Sequence, residues 1–254
     1  MYKRQLQDWL SGVLQLASVR SRPGWEKGLE PASGRKEGEL MGMIDYLLYF
    51  VYAFTTVFVI VNPVEATMIF VTLTSGLGGQ EKARIYRRAT LVSFAIAILF
   101  ALGGDLVLRI FGITVDSLRV AGGILLFLVA IDMLRGVRQQ KKVTEAELQD
   151  ANERDDVSVF PLATPLLTGP GAITTVIVLM GAAGTLAEKA LVLMAIILTF
   201  ASTLVILRFS EYIDQVLGIT GILVLTRIMG LILGAVAVNF VAVGAWNLYR
   251  AMAG

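Results

Sequence analysis

The sequence predicts an all-α membrane protein of six transmembrane helices, built as two inverted three-helix repeats with helices one and four broken at mid-membrane. Three observations lead there: an apolar composition, ordered matches between the two halves, and a helix-breaking segment at the same place in each half. Of 254 residues, 56% are hydrophobic and 17% charged, whereas a soluble domain carries about a quarter charged residues. The polar residues gather in 1–43 and 135–158, and long apolar runs fill the rest. A crossing needs roughly 20 apolar residues, so six crossings with short loops fit.

The composition also excludes several chemistries. Cysteine and histidine are both absent, which rules out thiol nucleophiles, histidine triads, haem ligation and the usual zinc ligand sets. Proton chemistry is left to carboxylates, Lys, Tyr or water. No metal and no cofactor are expected. The net charge of +2 gives no reason to expect nucleic acid, because the basic residues fall in loops; the partner is the lipid bilayer.

Four segments follow in order. Residues 1–43 form a polar N-terminal extension. Leu6, Trp9, Leu10, Val13, Leu14 and Ala17 recur at helical spacing, as a helix lying on the membrane surface would have them. Arg20–Gly42 is rich in Gly, Glu and Arg and reads as disordered; the alternative is a translation start at Met41 or Met43. Residues 44–134 make the first three-helix repeat, 135–158 a charged cytoplasmic linker, and 159–250 the second repeat.

The spans are read at about Ile44–Thr74, Ala89–Ile110, Leu118–Leu134, Val159–Ala183, Ala190–Leu207 and Ile219–Leu248. Their orientation follows from the basic residues of the short loops. Lys82, Arg84, Arg87, Arg88, Arg135, Arg138, Lys141, Lys142, Arg154 and Arg208 fall on one side, and Arg109, Lys189 and Arg250 on the other. The richer side is cytoplasmic, so both termini are expected outside the plasma membrane.

The halves match in order. Arg119–Leu125 reads RVAGGIL and Arg227–Leu233 reads RIMGLIL, 108 positions apart. Gly112–Thr114 and Gly218–Thr220 both read Gly-Ile-Thr. Leu91-Val92, Ala95-Ile96 and Phe100-Ala101 return 100 positions later as Leu191-Val192, Ala195-Ile196 and Phe200-Ala201. A unit with an odd number of spans puts its second copy upside down, the inverted repeat common among secondary transporters. The breakers correspond as well. Asn62-Pro63 in span one corresponds to Gly169-Pro170, followed by Gly171, in span four, at an offset of 107. Backbone groups freed by a break must meet protein, ligand or a wet cavity, and paired breaks point to a midplane binding site.

VIVNP in span one and PLATPLLTGPGAITTVIVL in span four resemble the two signature segments of the MarC family, whose members include transporters of small neutral amino acids. The resemblance runs from about Met41 to Trp246. It implies six spans, outward termini and small neutral amino-acid cargo of the glycine or alanine class; the reading is a secondary transporter coupled to H+, with Na+ as the alternative. The oligomeric state is left open. One departure stands out: where the family reads NPIGxxPxF, this chain reads NPVEATMIF, with Glu65 for the glycine and Met68 for the second proline.

The candidate substrate-binding residues are Asn62, Pro63, Glu65, Thr168, Gly169, Pro170, Gly171, Ala172 and Thr174. The half-helices that begin at the breaks carry partial positive charge at their amides, suited to a carboxylate. Freed carbonyls, Asn62 or Glu65 would accept from an ammonium. Glu65 is a mid-membrane carboxylate and so a functional candidate, either a proton carrier or a solvated vestibule residue. Arg119 and Arg227 are candidate gates or carboxylate ligands, against a structural role at helix ends. Asp132 and Asn239 are candidates for coupling or helix bridging, and Asp105 reads as interfacial. Two other functions compete: a channel or exporter of another small solute, and an intramembrane protease using Gly103-Gly104-Asp105 with Asp132. In the latter, Leu102 stands where a glycine is required, and the protein is not expected to be an enzyme.

Overall fold

The computed structural model describes residues 32–135 and 167–253, and among these every regular element is α-helical. The chain divides into two compact units, Met1–Met43 and Ile44–Gly254. Residues 1–31 and most of the linker, together with the first part of span four, lie outside the described residues. The helices are α1 (Ala32–Val61), α2 (Pro63–Leu73), α3 (Gly79–Ile110), α4 (Val115–Arg135), α5 (Pro170–Ala182), α6 (Leu186–Arg208) and α7 (Ser210–Ala253).

Among the described residues, five stretches are long and apolar enough to cross a membrane: Met43–Leu73, Gly79–Ile110, Val115–Arg135, Leu186–Arg208 and Thr220–Ala253. Pro170–Ala182 is a shorter apolar helix. The sequence placed Lys82, Arg84, Arg87 and Arg88 in a loop, but they occupy the first turns of α3. Hydropathy marks only the apolar part of a helix, whereas Gln, Glu, Lys, Ala and Arg all favour helical backbone.

The outer faces are apolar. Leu91, Leu99, Leu102, Leu106 and Ile110 form an exposed stripe along α3 at helical spacing, the surface that lipid rather than water would cover. The interior is packed with small residues. A Cβ added at Gly122 would lie 2.1 Å from Thr174 Cγ2 of α5, one at Gly104 2.6 Å from Ile177, and one at Gly230 2.9 Å from Met133. Helices in lipid associate by such close approach, since no water is expelled between them.

The caps are local. Thr185 accepts from the Glu188 amide at 3.1 Å and opens α6; Thr114 accepts from the Ser117 amide at 3.0 Å and opens α4. Lys82 and Glu211, 2.6 Å apart, join the starts of α3 and α7.

Candidate functional site

The first break is built by Pro63. Its ring leaves no N–H and crowds the preceding residue out of the right-handed helical basin. Asn62 accordingly adopts φ 47°, ψ 63°, the only positive φ outside glycine among the described residues, and asparagine is one of the few residues that tolerates it. Released from α1, Asn62 becomes the N-cap of α2: its side-chain oxygen accepts from the Glu65 amide at 3.4 Å. Its side-chain amide donates to Glu65 Oε2 at 2.5 Å. Both residues are buried, and so are Pro63, Ala66 and Thr67. A carboxylate taken out of water is costly unless it is hydrogen-bonded, and here the residue that caps the half-helix also binds the acid one turn along.

The second break uses glycine instead. Gly169 is extended, at φ −78° and ψ 179°, and Pro170 takes the first position of α5. The preceding turn is pinned to α3, because the Thr168 hydroxyl donates to the Ser93 carbonyl at 3.0 Å. Thr168, Ala172 and Thr174 are buried, Gly169 and Gly171 partly so, and Pro170 is exposed. The Thr175 hydroxyl returns to the Gly171 carbonyl at 2.8 Å.

The two breaks lie side by side. A Cβ on Gly171 would sit 3.1 Å from Leu126 Cδ2 and 4.0 Å from Ile60 Cγ2, and Ile60 is two residues before Asn62. Two half-helices, each opening on proline, thus start near one another, and the first of them carries the buried Asn62 and Glu65 in its first turn. Such a place offers N–H donors to an anionic group and oxygen acceptors to a cationic one.

The remaining candidates separate. Arg119 and Asn239 line one cavity of about 100 Å³, together with Tyr49, Tyr52, Val178 and Phe240. Arg119 donates to Asp116 Oδ1 at 3.1 Å, and Asn247 of α7 donates to the same oxygen at 3.0 Å. Arg227 is exposed on α7; the residue three before it is Val224, so it lacks the acid that holds Arg119. The repeated arginines are therefore not a symmetric pair in this structure. Asp132 is half-buried near the end of α4, and Asp105 is exposed and paired with Arg109 at 2.9 Å.

Tyr49, Tyr52, Asp116 and Asn247 were not singled out from the sequence. The signal for Asp116 was its place three before Arg119, an intrahelical ion-pair spacing. Nothing local marks Asn247, whose partner is 131 positions away.

A family model described as "MarC family integral membrane protein" matches residues 47–249. A UPF0056 membrane protein of Methanocaldococcus jannaschii is 41% identical over 198 residues, covering 78% of this chain and 96% of the relative. One from Aquifex aeolicus is 38% identical over 208 residues, covering 82% and 97%. The UPF0056 membrane protein YvbG of Bacillus subtilis is 35% identical over 202 residues, covering 79% and 96%. No solved structure matches the chain.

Proposed function

Because the chain belongs to the MarC family of multi-pass integral membrane proteins, we propose that it is a secondary transporter of small neutral amino acids of the glycine and alanine class. Its cargo sits at the paired breaks, and the coupling ion is a proton, with sodium as the alternative. The observation that carries this reading is the meeting of the two breaks, where Gly171 of α5 lies against Ile60 of α1. A bilayer tolerates non-helical backbone only where it is buried in protein or lines a cavity. A site of that kind between half-helices matches both poles of a zwitterion: amides for the carboxylate, and the Asn62 and Glu65 oxygens for the ammonium.

Alternating access follows from an inverted repeat of 44–134 and 159–250, with six spans and both termini outside. Two features support the repeat. Both half-helices begin on proline. Both copies of Gly-Ile-Thr begin with a glycine at positive φ, Gly112 at 65° and Gly218 at 57°. A positive-φ glycine at the same step of each copy is what one folding plan used twice would leave behind.

Uptake of labelled glycine into proteoliposomes, with and without an imposed pH gradient, tests the proposal. Saturable uptake that a pH gradient drives above equilibrium is expected. Flux that rises linearly with glycine concentration, or no glycine flux at all, would refute it.

A further inference from the structure

The cavity beside Arg119 lies apart from the paired breaks. Val178 is seven residues beyond Gly171 on α5, and Tyr52 ten before Asn62 on α1. At 1.5 Å per residue these separations are about 10 and 15 Å. The cavity opens between α1, α4, α5 and α7, toward the end of the bundle where α4 begins and α5 finishes.

Its chemistry is specific. The Arg119 side chain is only 12% exposed, and a guanidinium presents a planar fork of donors matched to a carboxylate. Asp116 takes one of those donors and is itself held by Asn247, so the guanidinium is fixed in orientation. The pair is neutral in sum but strongly dipolar. A carboxylate is therefore received by the donors of the fork that Asp116 leaves free rather than by net charge. Tyr49 and Tyr52 line the same cavity, and aromatic side chains attract an ammonium. Val178, Leu179 and Phe240 complete its lining with apolar surface. The volume limits the occupant: an apolar cavity of about 150 Å³ takes benzene, so about 100 Å³ admits a molecule near the size of glycine.

We propose that this cavity is a second substrate subsite, in which Arg119 receives the carboxylate of a small zwitterion on its way to or from the paired breaks. The assignment rests on the transport reading for its cargo, while its carboxylate chemistry stands on the cavity alone. Arg119 is then a binding residue, and its partners Asp116 and Asn247 are positioning residues.

The test measures equilibrium binding and uptake with the full chain. Three probes are used: glycine, acetate (carboxylate only) and ethanolamine (no carboxylate). Wild-type protein should bind glycine best, acetate more weakly and ethanolamine least. Arg119→Lys keeps the charge but loses the fork; it should weaken glycine binding about tenfold or more, the worth of one charge-assisted hydrogen bond. Ala182→Phe fills the cavity without removing a polar group and should do the same. In uptake, both should raise KM with kcat nearly unchanged, a split that a merely structural defect would not produce. Circular dichroism and gel filtration identify any variant that fails to fold, and Ala182→Phe then carries the test alone. Glycine transport with binding and KM unaltered in both variants overturns the subsite and leaves the transport reading standing. Arg119-dependent acetate binding without glycine transport supports the cavity's chemistry and overturns the transport reading. Absence of binding by both glycine and acetate overturns the subsite.

Discussion

At the residue scale, the first break turns on Glu65 of the segment NPVEATMIF. Glu65 is buried, and Asn62 both donates to it and accepts from its amide. Linking the acid to the cap lets a change in charge at Glu65 act on the geometry of the break itself. If Glu65 carries the coupled proton, Glu65→Gln keeps shape and hydrogen bonding but cannot titrate. It should abolish accumulation driven by a pH gradient while sparing exchange of internal for external glycine. Accumulation retained in Glu65→Gln would move coupling elsewhere. Gly171→Leu should stop transport with the protein still folded, because a side chain there enters the contact with Leu126 and Ile60. Normal transport by that variant would place the site away from the second break. Asn62→Ala removes the cap and leaves a left-handed residue without its hydrogen bonds. It should cost about 1–2 kcal/mol of stability, read as a lowered midpoint in thermal unfolding.

Among the elements, the helices and both breaks are legible in the sequence because lipid imposes long apolar runs and proline interrupts them unmistakably. Hydropathy found the apolar core of α3 but not its charged first turns, since it measures transfer into lipid rather than helix propensity. The repeated arginines look equivalent in sequence because periodicity sees identity of residue, not of neighbours. Arg119 has Asp116 one turn back; Arg227 has Val224. Contacts across the bundle, such as Asn247 with Asp116, leave no local trace at all. Close packing between elements is likewise visible only in three dimensions. Gly122 has no room for a Cβ against Thr174, so Gly122→Val should destabilise the bundle by about 1–3 kcal/mol through overpacking. The Lys82–Glu211 bridge, with Glu211 59% exposed, should contribute under about 1 kcal/mol, and Glu211→Gln should leave the unfolding midpoint nearly unmoved.

For the whole molecule, orientation and mechanism are joined, because an inverted repeat works only if the two halves face opposite sides. The chain has no cysteine, so single cysteines report position cleanly. Ser75, in the exposed turn after α2, should be labelled as Ser75→Cys only from the cytoplasm; Leu186→Cys, at 85% exposure at the start of α6, only from outside. Labelling of both from one side would break the topology. The central claim is that binding at the breaks is carried across by alternating access, and counterflow tests it most directly. Proteoliposomes loaded with unlabelled glycine and diluted into a trace of labelled glycine should show a transient overshoot of label above equilibrium. A carrier exchanges its cargo one molecule at a time, so label enters while the unlabelled pool leaves. The overshoot should vanish in Gly171→Leu. Label that rises monotonically to equilibrium in the wild-type protein, whatever the internal load, would contradict the account.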